Sequence, residues 1–475
     1  MEKRIIIIGG GPGGYTAAIR AAQLGAKVTL IEKEALGGTC LNKGCIPTKA
    51  FYRNAELVNN LKASADFGIG LSGFSLDAGK MQERKDGIVN QLVNGVAQLM
   101  KANNIEVING KASLEDAHSE SLKEEALKKV KITLEDGSEK VVEGDSIIIA
   151  SGSHTFVPPI KGADLEGVLT SDDIINFKEI PESLIVIGGG VIGMEFGAIF
   201  NSFGTKVTIV EALPSILNMV DGETVKRLNP MLKKKGIEVH TSAMVKSIEK
   251  TEDGLQVKVE GKKGELLLEG SKVLIAAGRR PNVENLNLEG AGIIYDRKGI
   301  GTDKGFETNI KGIYAIGDVN GKWMLAHAAS HQGVEVAERI MGIESAGSTL
   351  IPNCIFIFPE IASLGATEEQ LKEQGVNYKT SKFLFGANGK ALALGEGEGF
   401  IKVISDEENR IIGVHILGPH ASDIIHEAVP IINEKLKVED VKHMVHAHPT
   451  LSEAFYEAVL GLNNEAIHLV PSRRK

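Results

Sequence analysis

The sequence predicts an α/β protein with two Rossmann-like domains and a C-terminal α+β module. In residues 5–33 a β-branched run, a G-x-G-x-x-G loop, a helical stretch, a second strand and an acid follow one another. The same order recurs in residues 184–212, and Gly9 and its counterpart Gly188 stand 179 positions apart. After about residue 346, strand-like runs precede helical stretches without a further glycine loop. Repeated βαβ units predict parallel sheets, and a module without its own site commonly builds an interface.

Length and composition indicate an ordinary globular chain. With 475 residues, several domains of about 150 residues each are expected. The net charge of −9 argues against a broad nucleic-acid surface. No apolar run approaches the roughly 18 residues of a membrane span, and the start, MEKRIIIIGG, does not resemble a signal peptide. We therefore expect a cytoplasmic protein that binds neither nucleic acid nor membrane.

The first βαβ unit has the features of a dinucleotide site. Gly9, Gly11 and Gly14 permit a tight turn and let the backbone approach a pyrophosphate. A helical stretch over residues 15–24 follows, and its N-terminus would face that pyrophosphate. Glu32 ends the next strand, where an acid accepts a hydrogen bond from a ribose hydroxyl. A lone glycine loop is often only a turn, but here every part is in place.

The second unit predicts a second dinucleotide site. Gly188, Gly190 and Gly193 form its loop, and Glu211 ends its second strand. Residues 212–214 are Ala-Leu-Pro and contain no arginine. An acid for the 2′-hydroxyl, without a cation for a 2′-phosphate, favours NAD over NADP.

A cysteine pair lies in residues 37–49, GGTCLNKGCIPTK. Pro47 is typical of a first helical turn, so Cys45 should lie at or just before a helix N-terminus, which favours its thiolate. A thiolate beside a second thiol, Cys40, suits disulfide exchange. The alternatives are a structural disulfide, half a zinc site or two buried cysteines; the third cysteine, Cys354, is distant in the sequence. No metal site is expected.

Several other stretches carry weaker signals. Asp318 follows a short apolar strand in residues 308–319 and suits a sugar or ribityl hydroxyl. An aspartate of an ordinary turn, without a ligand, would show the same pattern. Residues 147–153 and 273–282 each combine a strand with a glycine turn and look like return crossings between domains. The charged residues 115–131 are expected to form a solvated helix or excursion without chemistry.

A histidine-rich segment, HMVHAHPTLSE, spans residues 443–453. It lacks a zincin pattern and soft ligands. Pro449 breaks local helicity and exposes His448. Glu453 could bond one ring nitrogen of His448 and leave the other basic, which is the base-and-orienter half of a catalytic triad.

Taken in this order, the cysteine motif, the glycine loops, TNIKGIYAIGDV and HAHPTLSE resemble the flavoprotein disulfide reductases, from residue 5 to about 469. The closest resemblance is to the members that oxidise dihydrolipoamide in 2-oxo acid dehydrogenase and glycine cleavage systems. It implies four domains in chain order. They are an FAD-binding domain (1–150), an NAD-binding domain (151–279), a central domain completing the FAD site (280–346) and a dimer-interface domain (347–475).

The resemblance also implies the cofactor contacts. For FAD they are Gly9, Gly11, Gly14, Glu32, Lys33, Gly38, Thr39, Lys49, Ala112, Ser151, Gly152, Asp318 and Ala326. For NAD they are Gly188, Gly190, Gly193, Glu195, Glu211, Val245 and Gly278. Within these sets, Lys49 would lie near the flavin N5 edge, paired with Glu195.

Four residues are implied to carry the reaction. Cys45 would face the flavin and Cys40 would exchange with substrate, the two forming a redox disulfide. His448, with Glu453 behind it, would act as base towards the cysteines of the other subunit, so activity would require a homodimer. The partner would be the lipoyl domain of an acyltransferase or an aminomethyl-carrier protein.

Other functions within and outside this class remain open. A glutathione-type reductase is disfavoured by Glu211 without a following arginine, and a mercuric-type reductase by the lack of further C-terminal cysteines. A transhydrogenase or NADH oxidase would not need two cysteines, and a non-enzymatic flavin-containing scaffold would not need the His448 pair. The chain departs from the family at residues 356–358, Phe-Ile-Phe, where an aromatic-threonine pair is usual; no catalytic role is expected there.

Overall fold

The computed structural model describes residues 2–116, 127–262, 264–344, 347 and 350–470. The strands are β1 Arg4–Ile8, β2 Lys27–Glu32, β3 Glu106–Asn109, β4 Lys111–Leu114, β5 Lys128–Thr133, β6 Glu139–Gly144, β7 Ser146–Ile149, β8 Ser153–Thr155, β9 Val168–Thr170, β10 Ser183–Ile187, β11 Lys206–Glu211, β12 Glu238–Thr241, β13 Met244–Lys250, β14 Leu255–Gly261, β15 Gly264–Gly270, β16 Lys272–Ile275, β17 Arg279–Pro281, β18 Tyr295–Asp296, β19 Gly299–Ile300, β20 Ile313–Ala315, β21 Asn353–Ile355, β22 Glu360–Gly365, β23 Lys379–Leu384, β24 Phe400–Ser405 and β25 Ile411–Gly418.

The helices lie between these strands. They are α1 Pro12–Gln23, α2 Gly38–Asn42, α3 Cys45–Lys62, α4 Ala78–Ala102, α5 Ser171–Ile174, α6 Val191–Phe203, α7 Gly222–Lys234, α8 Ala326–Ile340, α9 Glu368–Gln374, α10 Gly389–Leu394, α11 Ala421–Asn433, α12 Val438–Lys442 and α13 Glu453–Gly461. Within the described ranges, none of them is both long and apolar enough to cross a bilayer.

The first unit is a parallel five-stranded sheet in the order β20-β7-β1-β2-β3. Its centre, β1, is almost wholly buried because isoleucines at 5–8 pack on both faces. Helix α1 begins at Pro12, earlier than the sequence indicated, because proline fits the first helical position after the Gly11 cap. The outer strand β20 comes from the predicted central segment, so that segment contributes to the first sheet.

The second unit repeats this topology. Its sheet runs β12-β11-β10-β16-β9, all parallel, so that β10 and β11 correspond to β1 and β2. Each unit also carries an antiparallel three-stranded sheet, β4-β5-β6 in the first and β13-β14-β15 in the second. The two Rossmann-like units predicted from the 179-residue repeat are therefore confirmed.

Two local predictions have different outcomes. The two return crossings meet in space, because β8 pairs antiparallel with β17. Of the charged stretch 115–131, residues 117–126 lie outside the described residues, and its end forms part of β5 rather than a helix. β5 alternates buried and exposed positions, as a half-buried strand does.

The C-terminal module is an antiparallel sheet in the order β21-β22-β25-β24-β23, so the predicted α+β class is confirmed. Helices α11 and α13 pack against it around a core that includes Phe383, Phe385 and Phe455. Helix α9, which was not predicted from the sequence, starts at a capping box formed by Thr367 and Gln370. A separate core cluster joins α3 to the second unit and to this module, through Phe51, Phe196 and Ile357 among others.

Candidate active site

The two cysteines lie on two consecutive helices, α2 and α3, beside a large cavity. Cys45 is the first residue of α3 after the Gly44 cap, so the predicted helix start is confirmed. Cys40 lies within α2, and both thiols are free. A hydrogen bond from the Cys40 thiol lowers the pKa of Cys45 to about 7, against the effect of burial and with help from the charge of Lys49. The same hydrogen bond, followed by burial, raises the pKa of Cys40.

The cavity has a volume of about 2430 Å³ and reaches both glycine loops. Cys40, Cys45 and most of the predicted cofactor residues line it. These are Gly9, Gly11, Glu32, Lys33, Gly38, Thr39, Lys49, Ala112, Ser151, Gly152, Asp318, Ala326, Gly188, Gly190, Glu195, Glu211, Val245 and Gly278.

Gly14 and Gly193 do not line the cavity. A Cβ on Gly14 would lie 1.8 Å from the Gly9 carbonyl oxygen, and one on Gly193 would lie 2.0 Å from that of Gly188. Their absent side chains therefore let each helix pack closely on its strand. Both glycines act on the cavity through packing rather than contact.

The glycine loops leave room for a diphosphate at each helix start. Gly11 and Gly190 cap α1 and α6 without any side-chain hydrogen bond to the helix N–H groups. A Cβ on Gly190 would meet nothing within 4 Å, and one on Gly11 only the Gly38 Cα at 3.8 Å. Open space in front of unpartnered helix N–H groups is what a pyrophosphate requires. The residues present thus fit a dinucleotide at both positions.

The two strand-end acids are held in the same way. Glu32 accepts hydrogen bonds from the Gly10 amide at 2.7 Å and the Glu34 amide at 2.8 Å. Glu211 accepts from the Gly189 amide at 2.7 Å and the Leu213 amide at 2.7 Å. Each carboxylate is fixed beside its glycine loop and keeps further lone pairs for a ribose hydroxyl.

Asp318 lies in a short 3₁₀ turn, Gly317–Asn320, directly after β20. Its Oδ2 accepts a hydrogen bond from Ser153 Oγ at 2.5 Å, and Ser153 Oγ accepts in turn from Arg279 Nε at 2.8 Å. Burial raises the pKa of Asp318, although Ser153 and Arg279 oppose that effect. Ser153 and Arg279 were not among the predicted contacts, although their neighbours Ser151, Gly152 and Gly278 were, because no local pattern links two residues 126 positions apart.

Lys49 and Glu195 both line the cavity and form an ion pair. Lys49 Nζ lies 2.9 Å from Glu195 Oε1 and 2.8 Å from Oε2. Glu195 is buried, and its Oε1 also accepts a hydrogen bond from the Phe356 amide at 3.0 Å. The expected pairing of Lys49 with Glu195 is present. Cys354, remote in the sequence, also lines this cavity, and burial raises its pKa to about 11.

His448 and Glu453 form a pair away from this cavity. His448 Nδ1 lies 2.9 Å from Glu453 Oε1, and the Thr450 amide donates to Glu453 Oε2 at 2.8 Å. Burial would raise the pKa of Glu453, but these two hydrogen bonds outweigh it and lower that pKa. The His448 side chain is 78% exposed, and it does not line the cavity of its own chain. The nearby His446 is instead paired with Glu427.

Comparison with known proteins identifies the group to which these features belong. Residues 3–333 match the family model for pyridine nucleotide-disulphide oxidoreductases. This chain belongs to that family. Residues 351–459 of the oxidoreductase match the dimerisation domain of the same family. The resemblance inferred from the motifs is confirmed, membership implies a flavin and a pyridine nucleotide, and the second match supports a homodimer.

Curated relatives and solved structures extend over nearly the whole oxidoreductase. It is 40% identical to the dihydrolipoyl dehydrogenase of Chlamydia muridarum over 474 residues, 99% of this chain and 98% of that one. It is 42% identical to a dihydrolipoyl dehydrogenase of Bacillus subtilis over 475 residues, with 99% and 98% covered. LpdA from Mycobacterium tuberculosis aligns with a TM-score of 0.90 at 26% identity, covering 97% and 99%. The flavoprotein disulfide reductase RclA from Escherichia coli gives 0.84 at 28%, covering 96% and 99%.

Proposed function

We propose that this oxidoreductase is a dihydrolipoyl dehydrogenase: it oxidises protein-bound dihydrolipoamide to lipoamide and reduces NAD to NADH. One observation carries the proposal. The pair of Cys40 and Cys45, with the pKa of Cys45 lowered to about 7, opens into one cavity with two dinucleotide-type glycine loops. A dithiol substrate can therefore give its electrons to the cysteines beside the places where a flavin and a nicotinamide would bind.

The thiol half of the reaction follows from the properties of these side chains. With Nδ1 of His448 bonded to Glu453, its Nε2 is free to take a proton from one substrate thiol. The substrate thiolate attacks Cys40 Sγ in the Cys40–Cys45 disulfide, which breaks the S–S bond and leaves Cys45 as thiolate. The second substrate thiol then displaces Cys40 and closes the lipoamide disulfide, and its proton passes to the departing Cys40 sulfur, whose pKa is raised. The lowered pKa of Cys45 makes it the better leaving group.

The cofactor-binding residues divide between the two units. Gly9, Gly11 and Glu32 would hold FAD, with Asp318 towards its ribityl chain. Bound FAD supplies the two-electron chemistry between the cysteines and the pyridine nucleotide. Glu211 would hold the NAD ribose, and Ala212 and Leu213 beside it line the cavity without a cation for a 2′-phosphate.

The active unit is proposed to be a homodimer. His448 is exposed and does not line its own cavity, so the His448–Glu453 pair of each subunit is proposed to serve the cysteines of the other. The electron donor would be the lipoyl domain of an acyltransferase or an aminomethyl-carrier protein. The chain would then be the flavoprotein component of a 2-oxo acid dehydrogenase or glycine cleavage system. Its cytoplasmic location stays a prediction.

Steady-state assays test the proposal. Purified protein should reduce NAD with dihydrolipoamide, and NADP should be a poor acceptor. A parallel assay should show no turnover with NADPH and oxidised glutathione. Activity with that second pair alone would reject the assignment in favour of a glutathione-type reductase.

A further inference from the structure

The Lys49–Glu195 pair has a third partner that its expected role does not require. The Phe356 ring lies under the Lys49 ammonium, with 4.2 Å from Nζ to the ring centroid. The Phe356 amide donates to Glu195 Oε1 at 3.0 Å. Phe356 therefore contacts both charged residues, one through its ring and the other through its backbone.

The Phe356 ring is itself held by aromatic neighbours. Tyr52, two turns into α3, meets it edge-on with 5.7 Å between ring centroids. Tyr52 also stacks on Phe358 at 4.6 Å, and its hydroxyl lies 3.2 Å from Glu360 Oε1. Because α3 also carries Cys45 and Lys49, the aromatic cluster ties the position of the ring to the helix of the reactive thiol.

We propose that Phe356 is a positioning residue: its ring holds the Lys49 ammonium beside Cys45 and Glu195, where that charge stabilises the Cys45 thiolate. A cation over an aromatic face is attracted by the ring quadrupole, and more strongly where water is excluded. A lysine side chain is flexible, so the ring adds a second contact, beside the Glu195 carboxylate, that restricts where the ammonium lies. The inference rests on the proposed function in one respect: the proposed reaction is what requires a Cys45 thiolate.

The ionisation of Cys45 reports where the Lys49 charge lies. The groups that act on Cys45 are Cys40 on α2, Lys49 on α3 and Glu195 on α6. The Cys40 hydrogen bond and Lys49 favour the thiolate, whereas Glu195 and burial oppose it, and Asp318 acts on the neighbouring Cys40. Displacing Lys49 should thus raise the pKa of Cys45.

The test measures the pH dependence of Cys45 alkylation in the full-length, flavin-loaded protein. All variants carry Cys40→Ser, which leaves one thiol of the pair and keeps a hydroxyl donor. Iodoacetamide labelling of the Cys45 peptide is quantified by mass spectrometry. Phe356→Leu should shift the midpoint upwards by about 0.5 pH unit, whereas Phe356→Tyr, which keeps the ring face, should not. If the leucine variant fails to fold, Phe356→Met replaces it.

Two controls separate positioning from a general packing effect. Phe358→Leu removes a ring of the same cluster that stacks on Tyr52, and it should leave the midpoint unchanged. In a Lys49→Met background, Phe356→Leu should cause no further shift, because the ring would have no ammonium to hold. An equal shift in Phe358→Leu, a shift that persists without Lys49, or none in Phe356→Leu would overturn the inference. Labelling needs no dithiol substrate, so failure of the dihydrolipoamide assay would leave this result standing.

Discussion

At the scale of single residues, Cys40 and Cys45 are chemically unequal although they share one cavity. The Cys40 thiol donates a hydrogen bond and the Cys45 sulfur accepts it, so negative charge settles on Cys45 at the start of α3. That asymmetry supports the proposed roles, in which Cys40 exchanges with substrate and Cys45 lies on the flavin side. The proposed base for the exchange is His448, with Glu453 bonded to its Nδ1.

Replacing His448 by glutamine should slow dihydrolipoamide oxidation by about 10²–10⁴-fold, because a positioned general base contributes that much. Reduction of an artificial acceptor by NADH needs no substrate thiol and should change little. Stopped-flow measurement of the two half-reactions checks this. The matched control is His446→Gln. His446 lies in the same segment as His448, but its ring is paired with Glu427 of α11. Equal losses in both half-reactions would remove His448 from the base role.

At the scale of secondary-structure elements, each of the two glycine loops combines a glycine that faces open space with a glycine that packs against its strand. Gly11 and Gly190 face open space, whereas Gly14 and Gly193 lie against the carbonyls of Gly9 and Gly188. The glycines of one G-x-G-x-x-G loop therefore meet two different physical requirements. One is access to helix N–H groups and the other is close approach of helix and strand.

Gly193→Ala should raise the KM for NAD by at least about tenfold, because α6 must move away from β10 and carry its N-terminus with it. Flavin content should stay normal, since the other loop belongs to a different sheet. Gly197→Ala on the same helix is the control. Its Cβ would meet Ile209 at 3.4 Å, an ordinary contact, and alanine favours the helix. Similar KM values for the two variants would contradict the packing role of Gly193.

At the scale of the whole molecule, a buried ion cluster joins the second unit to the C-terminal module. Lys402 on β24 is 1% exposed and lies 2.9 Å from Asp221, the cap of α7, which is 0% exposed. It also contacts Glu368 at 2.5 Å and Glu223 at 3.5 Å. Removing one partner of such a pair leaves a buried charge unpaired.

Lys402→Met should lower the apparent melting temperature strongly, because breaking a buried pair costs about 3–5 kcal/mol. Lys382→Met is the control: Lys382 bonds Glu223 at 2.6 Å, but its side chain is 39% exposed and such pairs contribute about 0–1 kcal/mol. Thermal unfolding followed by circular dichroism compares the two. A loss no larger than that of the control would mean that the cluster adds little to stability.

The same cluster predicts acid sensitivity. Although burial would raise it, the hydrogen bond from Lys402 lowers the pKa of Glu368 to about 2 from a usual 4.5. A carboxyl group with a depressed pKa stabilises the fold above its unfolded pKa and loses that effect as pH falls towards its folded value. The wild-type melting temperature should therefore decline between about pH 4.5 and 2 more steeply than that of Lys402→Met.

Hybrid dimers test whether the site is shared between subunits. Cys45→Ser and His448→Gln homodimers should both be inactive with dihydrolipoamide. Co-expression gives mixed dimers in which one site combines an intact cysteine pair with an intact His448 of the other subunit. Random pairing then predicts recovery of about a quarter of wild-type activity. No recovery would mean that the base and the cysteines belong to the same chain.

Local patterns were sufficient for the two sheets and the helix at Cys45, because glycine loops, Pro47 and strand-end acids act within a few residues. Contacts between distant segments were not predictable in this way. Asp318 could not be separated from a turn aspartate, since its partner Ser153 lies 165 residues away. No role was expected for Phe356, because its contacts with Lys49 and Glu195 exist only after three parts of the chain pack together.

The core shared by α3 has a consequence for exchanging parts between relatives. Phe51 on this helix packs in one cluster with Phe196 of the second unit and Ile357 of the C-terminal module. A chimera that takes its second unit from another family member replaces only part of this cluster. We expect the mismatched packing to disturb the helix that begins at Cys45. Recombination at domain boundaries should therefore yield working hybrids only when the residues at these three positions are inherited together.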